Sequence, residues 1–404
     1  MVYNESKYNK NWKTMKLSDL GEFARGKSTH RPRNDKNLFE GGGYPLVQTG
    51  EIKEANLYIT HHTQEYGEFG LQQSKLWDAE TLCITIAANI AETALLAYPM
   101  CFPDSVVGFK AYKEVSSEKF MYYVFDFIRN SIQNAASGST QDNINIDYLT
   151  SLDFKVPDKI AQDKMVELLS AIDEKILMNS KINDNLEQQA QAIYHERFET
   201  VSPNDLPSDW RIVTLGEVAT ISNKSFNPLK EPEILLEHYS IPAFDEARFP
   251  VFELSTSIKS NKFIIDASCF MISKLNPTTK RVWKPYCLTG NAVCSTEFIV
   301  YKAKDQSITD FLYSVIDSGS FSDFMCSHVT GSTGSRQRTT PSDTLSYELI
   351  LPSEDELAEF QSLVSPMYAQ MRINAIENDK LKRLRDSLLP KLMSGEIDVS
   401  SVHL

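Results

Sequence analysis

The segment from Gly21 to Ser28 has the spacing of a phosphate-binding loop, because it matches the pattern G-x-x-x-x-G-K-S/T at every position. That chemistry needs a strand before the loop and a helix after it, so that backbone N–H groups and a helix N-terminus meet the phosphates. Pro32 follows too closely for such a helix to form. A similar segment later in the chain has no glycine before Lys224. The sequence therefore argues against nucleotide binding through Lys27.

A second group resembles the acids and lysine of metal-dependent nucleases. Asp158 is followed by Asp173, Glu174 and Lys175. On one helix, however, these acids would lie about 20 Å apart at roughly 1.5 Å per residue, too far to share a metal ion. We interpret Asp158 as the N-cap of that helix. The remaining acids then form a solvated face.

A third pattern, Asn276 followed by Pro277, resembles part of the Asn-Pro-Pro-aromatic motif of amino-methyltransferases. The aromatic residue that would stack on a flipped base is missing, and no G-x-G-x-x-G cofactor loop accompanies it. The seven histidines show no ligand spacing beyond the adjacent His61 and His62, which cannot both face one metal from a strand. We therefore expect no catalytic residue, cofactor site or metal site in this chain.

The chain carries a formal net charge of -13, which argues at first against a nucleic-acid partner. Its charges are unevenly distributed, however. Residues 23–34, 267–296 and 324–342 contain arginines or lysines and no acid. Arginine and lysine suit guanine, and asparagine and glutamine suit adenine. The candidate DNA-binding residues are Lys27, His30, Arg31, Arg33, Gln48, Thr49, Asn89, Ser139, Thr140, Gln141, Lys224, Lys274, Asn276, Thr278, Thr279, Lys280, Arg281, Trp283, Ser335, Arg336, Gln337 and Arg338.

Two similar sets of elements must position these loops. Alternating and β-branched residues predict strands at 81–86, 106–112, 270–273 and 297–301. Aromatic helices are predicted at 120–132 and 310–324, each followed by a Gly-Ser-Thr loop at 138–140 and 331–333. We therefore expect an α+β fold with two mixed α/β heads in tandem, at residues 1–157 and 201–352.

Each head is followed by a segment with heptad spacing, at 158–200 and 353–404, which predicts a long helix. Two similar surfaces at a fixed spacing suggest that two things are read at once, rather than one active site. The helices are expected to pair as an antiparallel coiled coil, with asparagines opposite each other setting the register. The predicted pairing residues are Leu169, Ile172, Ile176, Asn179, Asn183, Leu186, Val364, Met367, Met371, Asn374, Asn378 and Leu381.

The two halves match at an offset of 195 residues. Leu20 to Ala24 returns as Leu215 to Ala219, and Pro157 returns as Pro352. No apolar run is long enough to cross a membrane, and the N-terminus has no apolar signal core, so a cytoplasmic location is expected. The six scattered cysteines favour reduced thiols over disulfides or a zinc site.

The chain resembles the specificity subunit of type I restriction-modification systems. The resemblance extends from Trp12 to Ile397 and depends on the order of several features. These are a tryptophan five residues before a leucine at the start of each half, the segments Lys274–Pro277 and Ser295–Phe298, the Gly-Ser-Thr loops, and the helices that begin at Pro157 and Pro352. The first head departs from the second, because it has Thr85–Asn89 in place of Lys274–Pro277.

The resemblance implies that the heads are two target recognition domains, each reading one half of a bipartite, asymmetric double-stranded DNA site. It also implies two modification subunits that bring S-adenosylmethionine, and restriction subunits that bring ATP and Mg²⁺. The chain itself would be a non-catalytic subunit whose helices set the gap and bind the modification subunits. Residues 165–193 as one helix span roughly 43 Å, somewhat more than one turn of B-DNA at about 34 to 36 Å.

Two alternatives remain open. The chain could be a protein scaffold or an anti-restriction relative without sequence readout, which would assemble with a modification subunit and protect no defined DNA sequence. It could also be a nucleotide-binding enzyme that uses Gly21–Ser28. Tight ATP binding by the isolated chain, abolished by Lys27→Ala, would support that reading.

Overall fold

The computed structural model describes residues 2–87, 89–137, 144–202, 204–330 and 337–399. The chain divides into two compact units. The first unit is Met1–Leu177 with Lys380–Leu404, and the second is Met178–Asp379. Each unit thus combines one head with parts of both long helices, whereas the sequence was divided into heads and helices. The predicted boundaries of the heads and helices stay a prediction.

In its described residues, the first head consists of short strands and four α-helices. Its strands are β1 (Lys13–Lys16), β2 (Gly21–Arg25), β3 (Tyr44–Leu46), β4 (Tyr58–Ile59), β5 (Gln64–Tyr66), β6 (Leu76–Trp77), β7 (Leu82–Thr85), β8 (Thr93–Leu96), β9 (Met100–Cys101), β10 (Val106–Ala111) and β11 (Asp153–Val156). Its helices are α1 (Thr49–Glu54), α2 (Glu68–Gln72), α3 (Glu118–Ser137) and α4 (Ile146–Thr150).

These strands form a five-stranded sheet of order β2-β10-β7-β8-β4, a four-stranded sheet of order β5-β3-β9-β6, and the pair β1-β11. Helix α3 contacts β7, β8 and β10. Its apolar side buries Phe120, Tyr123 and Val124 in the core of the first unit. A sheet and an amphipathic helix each have one apolar face, and packing them together removes both faces from water.

After α5 (Lys159–Tyr194) the second head begins. Its strands are β12 (Arg211–Thr214), β13 (Ala219–Ile221), β14 (Ser225–Phe226), β15 (Leu235–Tyr239), β16 (Val251–Leu254), β17 (Lys262–Ile264), β18 (Cys269–Ser273), β19 (Val282–Trp283), β20 (Ala292–Ser295), β21 (Phe298–Ala303), β22 (Val329–Thr330), β23 (Arg338–Thr339) and β24 (Glu348–Leu351). Its helices are α6 (Leu215–Val218), α7 (Ile241–Ala247), α8 (Thr309–Ile316) and α9 (Gly319–Ser327), and α10 (Glu354–Met393) follows the head.

The second head repeats the scheme of the first with different details. A four-stranded sheet has the order β13-β21-β18-β19, a five-stranded sheet has the order β14-β17-β20-β15-β16, and β12 pairs with β24 as β1 pairs with β11. The predicted fold class is therefore confirmed: the heads are mixed α/β, and the long helices pack together. The strands predicted at 81–86, 106–112, 270–273 and 297–301 correspond to β7, β10, β18 and β21.

The helix predicted at 310–324 is wrong as a single element. The structure has two helices, α8 and α9, with a break at Asp317 and Ser318. The Ser318 side chain accepts a hydrogen bond from the N–H of Phe321 at 3.1 Å and so caps the start of α9. A serine that satisfies a free N–H in this way favours a new helix start over continuation of the preceding helix.

The repeat match between Leu20 and Leu215 is also out of structural register. The N–H of Leu215 donates to the carbonyl of Tyr347 at 2.8 Å, and in the first head it is Leu17 that makes the corresponding bond, to Leu152 at 3.1 Å. Leu17 is thus the counterpart of Leu215, at an offset of 198. The tryptophan-to-leucine spacing gives this register, whereas the match of Leu20–Ala24 with Leu215–Ala219 gave one that is shifted by three residues.

Each head packs on both long helices within its own unit. In the first unit, Met165 and Leu169 of α5 and Leu392 of α10 belong to the core of the head. In the second unit, Tyr194 of α5 and Phe360 of α10 do the same. No helix in the described part of the chain is long and apolar enough to cross a membrane. All six cysteines are unpaired, and four of them are buried.

Candidate nucleic-acid interface

Gly26 follows β2, and its surroundings explain the glycine without a phosphate. Its N–H donates to the carbonyl of Val106 at 2.8 Å. A Cβ added at Gly26 would lie 2.2 Å from the carbonyl oxygen of Pro103, so only glycine fits. No helix begins between residues 26 and 35; the next helical turn is Lys36–Leu38. The segment therefore lacks the helix N-terminus that phosphate binding requires, and Lys27 is an exposed loop residue.

The loop after Gly26 places two arginines on one acid. The Arg33 guanidinium lies 2.6 Å from Oδ1 of Asp104, and Arg31 lies 3.6 Å from Oδ2 of the same carboxylate. Arg31 also donates through its NH1 group to the carbonyls of Ser28 and His30, at 2.7 and 2.8 Å. Arg31 is thus hydrogen-bonded to its own loop, whereas the guanidinium of Arg33 pairs with the carboxylate of Asp104.

His30 lies in the same loop and is held by a carboxylate. Its Nε2 atom lies 2.7 Å from Oδ2 of Asp35, and its ring meets the exposed ring of Phe69 edge to face at 5.3 Å. The N–H of Asn37 and the His30 ring lower the pKa of Asp35. His30 is therefore positioned by its neighbours rather than left mobile.

The remaining candidates of the first head are dispersed. The N–H of Gln48 donates to Glu51 at 2.6 Å at the start of α1, where Thr49 is the first residue, and the Gln48 side chain donates to Gln64 at 3.2 Å. Asn89 is exposed in the turn between β7 and β8 and has a positive φ of 59°. The other candidates of this head lie outside the described residues: Ser139, Thr140 and Gln141.

In the second head, the structure joins two loops that are distant in sequence. The N–H of Asn276 donates to the carbonyl of Gln337 at 2.9 Å, and the N–H of Thr339 donates to the carbonyl of Lys274 at 3.1 Å. The N–H of Thr279 closes a turn on Asn276 at 2.8 Å, and Asn276 has a positive φ of 48°. The candidates of 274–279 and of 337–338 therefore form one surface. Ser335 and Arg336 lie outside the described residues.

Three cations of this surface are each held by an acid of the same head. The Lys280 ammonium lies 2.7 Å from Oδ1 of Asp317 and donates to its carbonyl at 2.7 Å. Two nitrogens of Arg281 meet Asp245 at 2.5 and 2.9 Å. Arg338 donates through Nε and NH2 to the two carboxylate oxygens of Glu297, both at 3.0 Å. Burial raises the pKa of Asp317 to about 6, although Lys280 lowers it.

Trp283 is not part of this surface. Its side chain is only 3% exposed and packs in the core against Tyr239, Phe244 and Phe298. Trp283 belongs to β19 and faces the interior, so the prediction that it is a DNA-binding residue is wrong. Thr278 and Lys224 are exposed, and Lys224 lies apart, in the connection between β13 and β14.

Asparagines pair across the two long helices in the second unit. The Nδ2 group of Asn374 donates to Oδ1 of Asn183 at 2.8 Å, and that of Asn179 donates to Oδ1 of Asn378 at 2.9 Å. Because the higher number on α5 meets the lower number on α10, the helices run antiparallel. The other predicted pairing residues are buried (Leu169, Ile172, Ile176, Val364) or half-buried (Leu186, Met367, Met371, Leu381).

The first unit has its own link between the helices. Arg385 of α10 donates through NH1 to Oδ1 of Asp173 on α5 at 2.9 Å, and the other oxygen of Asp173 accepts from the Tyr123 hydroxyl of α3 at 2.8 Å. Asp173 is thus a buried structural acid and not one of a set of metal ligands. Among the described residues, no group of three or more histidines, cysteines or acids is placed to hold a metal ion.

Residues 9–188 match the family model of the type I restriction modification DNA specificity domain. The chain is 23% identical to the type I restriction enzyme MjaIX specificity subunit of Methanocaldococcus jannaschii, over 97% of this chain and 95% of that protein. It is 24% identical to the HindI specificity subunit of Haemophilus influenzae, over 66% of this chain and 73% of that protein. The chain is thus similar to type I restriction-modification specificity subunits over nearly its whole length. These matches support a function in DNA sequence specificity.

The fold agrees with this similarity. The crystal structure of a type I restriction-modification S subunit from M. genitalium superposes with a TM-score of 0.59 at 16% identity, over 97% of this chain and 99% of that one.

The sequence analysis did not find the acids that pair with the candidate arginines and lysine. Asp104, Asp245, Glu297 and Asp317 lie outside the acid-free windows, so a search for basic segments excludes them from the start.

Proposed function

We propose that each head of this specificity subunit reads one half of a bipartite, asymmetric site in double-stranded DNA. One observation carries the proposal. The two heads share a backbone hydrogen bond at one position of the fold but carry different side chains there. The backbone N–H of Ile144 donates to the carbonyl of Ile86 at 3.0 Å in the first head, and in the second head the N–H of Thr339 donates to the carbonyl of Lys274. A shared frame with different surface loops suits two readers of different sequences.

The candidate surface has the chemistry for direct readout. It combines arginines and lysine with asparagine, threonine and glutamine around one pair of loops in the second head, Lys274–Thr279 and Gln337–Arg338. Such side chains distinguish base pairs in the major groove through donor and acceptor patterns. Sequence readout by these individual residues is part of the proposal.

The subunit acts in this proposal without catalysis of its own. Two modification subunits bind it, supply S-adenosylmethionine and methylate adenine, and restriction subunits supply ATP-driven movement and cleavage with Mg²⁺. We place this assembly in the cytoplasm. The net charge of -13 fits such an assembly, because partner subunits that enclose the DNA can provide many of the phosphate contacts.

Mapping of methylated adenines tests the proposal in one measurement. DNA modified by the complex of this chain with its modification subunits is expected to carry methyl groups in two different half-sequences separated by a constant gap. A complex that assembles and methylates or protects no defined sequence would refute sequence readout. That outcome would instead favour a scaffold or an anti-restriction relative.

The long helices set the gap in this proposal. We propose to delete one heptad from each helix, residues 175–181 and 376–382, which face each other through the bond between Asn179 and Asn378. Seven residues correspond to about 10 Å of helix, or up to about three base pairs. The gap is expected to shorten while both half-sequences stay the same. A deletion in α5 alone is the control, because it leaves the two helices mismatched. An unchanged gap in the paired deletion would refute this role.

A further inference from the structure

An acid lies in the same turn of both heads, just before an interior strand of the sheet, β10 in the first head and β21 in the second. The backbone N–H of Ile86 donates to the backbone carbonyl of Ser105 at 3.0 Å, and the backbone N–H of Lys274 donates to that of Glu297 at 2.9 Å. Ser105 and Glu297 are therefore equivalent positions. Asp104 directly precedes Ser105. The turn before β10 therefore carries Asp104, and the turn before β21 carries Glu297.

The arginines that meet these acids come from different parts of the two heads. Asp104 receives Arg33, which belongs to the loop after β2. Glu297 receives Arg338, which belongs to β23, near the end of the second head. The same kind of ion pair is thus formed at one place of the fold by two unrelated loops. Inheritance of one arginine from a duplicated ancestor does not explain this, whereas a shared task at that place does.

The exposure of the partners distinguishes these two pairs from the Arg281 pair of the second head. The Arg338 side chain is 42% exposed over a Glu297 that is 28% exposed, and Arg33 is 50% exposed over an Asp104 that is 35% exposed. The order is reversed for Arg281, which is 13% exposed beneath an Asp245 that is 47% exposed. In the first two pairs the acid lies inward and the guanidinium outward.

The hydrogen bonds of Arg338 to Glu297 leave one edge of the guanidinium available to contact a DNA base. Nε and one hydrogen of NH2 are used by Glu297, while the far edge of the guanidinium, with NH1 and the second NH2 hydrogen, has no bond to the described residues. That edge matches O6 and N7 of guanine, which accept two parallel hydrogen bonds. A carboxylate behind the fork fixes its plane and reduces the side-chain entropy lost on binding.

We infer that Arg338 and Arg33 each read a guanine, one in each half of the DNA site, and that Glu297 and Asp104 are positioning residues that hold the two guanidinium groups toward the major groove. The inference rests on the proposed function, because it assigns particular bases to heads that are proposed to read DNA. It also predicts that the two arginines act on opposite halves of the site.

The test uses the complex with its modification subunits and a DNA library randomised across both half-sites. Arg338→Lys keeps the charge and removes the fork. It is expected to lower the preference for guanine at one position by about 5- to 150-fold, the equivalent of one bidentate contact, and to leave the other half-site unchanged. Arg33→Lys is expected to do the same in the opposite half. Glu297→Gln and Asp104→Asn are expected to relax the same positions to a smaller extent.

Arg248→Lys is the matched control, since Arg248 of the second head is 53% exposed over Glu187, which is 22% exposed, but is not among the candidate DNA-binding residues, and no base position is expected to relax. Equal weakening of all sequences by Arg338→Lys would make Arg338 a phosphate contact and overturn the inference, as would unchanged preferences. Relaxation of the same base positions by Arg248→Lys would also overturn it. If the wild-type complex recognises no bipartite sequence, the proposed function fails. If it does recognise one, but the arginine variants do not lose a guanine preference in one half-site, this inference fails alone. Urea unfolding of each variant checks that the heads remain folded.

Discussion

The asparagine layer between the long helices leads to a prediction that can be worked out from its contacts. Asn374 is buried, and its Nδ2 group donates to Oδ1 of Asn183 at 2.8 Å. Asn183 donates in turn to the carbonyl of Met371 at 3.1 Å, and Oδ1 of Asn374 accepts from Gln370 at 2.7 Å. Asn183 is therefore satisfied by the opposite helix, and Asn374 by one bond from the opposite helix and one from its own.

Replacing one partner leaves the other unsatisfied. Asn183→Leu removes the acceptor of a buried amide, which is expected to lower the free energy of unfolding by about 1–3 kcal/mol. Asn374→Leu is expected to cost about 1 kcal/mol, because Asn183 is half-buried and water can reach it. The double variant replaces both polar groups with an apolar pair and is expected to be near wild type or more stable.

Urea unfolding of the four proteins gives the coupling free energy between the two positions. The expected coupling is about 2–4 kcal/mol, because the double variant avoids the losses of both single changes. Asn185→Leu is the control, because Asn185 is exposed on the same helix and is expected to change stability by less than about 0.5 kcal/mol. Single-variant effects that add within about 0.5 kcal/mol would refute the pairing of the asparagines.

Two further predictions concern buried acids. Arg385→Met should destabilise the first unit by about 3–5 kcal/mol, because among the described residues it leaves the buried Asp173 with only the Tyr123 hydroxyl. Adding Asp173→Asn should restore most of this loss in urea unfolding, and no rescue would contradict this account. For Asp317, the folded-state pKa of about 6 lies above the ordinary value of 3.8, so the folded state takes up a proton that the unfolded state does not between these pH values. The free energy of unfolding of the wild type relative to that of Asp317→Asn should therefore rise as pH falls from 7.5 to 4.5, by at most about 3 kcal/mol. A difference that stays constant or falls over this range would show that the raised pKa does not belong to Asp317.

The sequence predicted the elements whose signals are local. Strands β7, β10, β18 and β21 follow from runs of β-branched and apolar residues, and α5 and α10 follow from heptad spacing that extends over many turns. The opposite placement of Asn179 and Asn378 could be anticipated for the same reason, because a seam with a fixed period leaves few registers. These signals depend only on residues that are close along the chain.

The errors arose from one missed local cap and from two tertiary contacts that no local pattern shows. The break between α8 and α9 depends on the Ser318 cap, and the apolar residues on both sides concealed it in the sequence. The match between Leu20 and Leu215 was a coincidence of letters, which the hydrogen bond of Leu17 to Leu152 corrects. Trp283 lies in a basic window but on a strand, and the core of the second head takes up its ring.

Repeats and periodicity are properties of the chain alone, and they were enough to predict two α/β heads and two heptad helices. Folding, in contrast, sets which cations are more exposed than the acids they pair with and which are less exposed. Arg338 and Glu297 are 41 residues apart, and Arg33 and Asp104 are 71 apart. No local pattern encodes such pairs, since folding brings each acid to the turn before a central strand and a different loop to each acid.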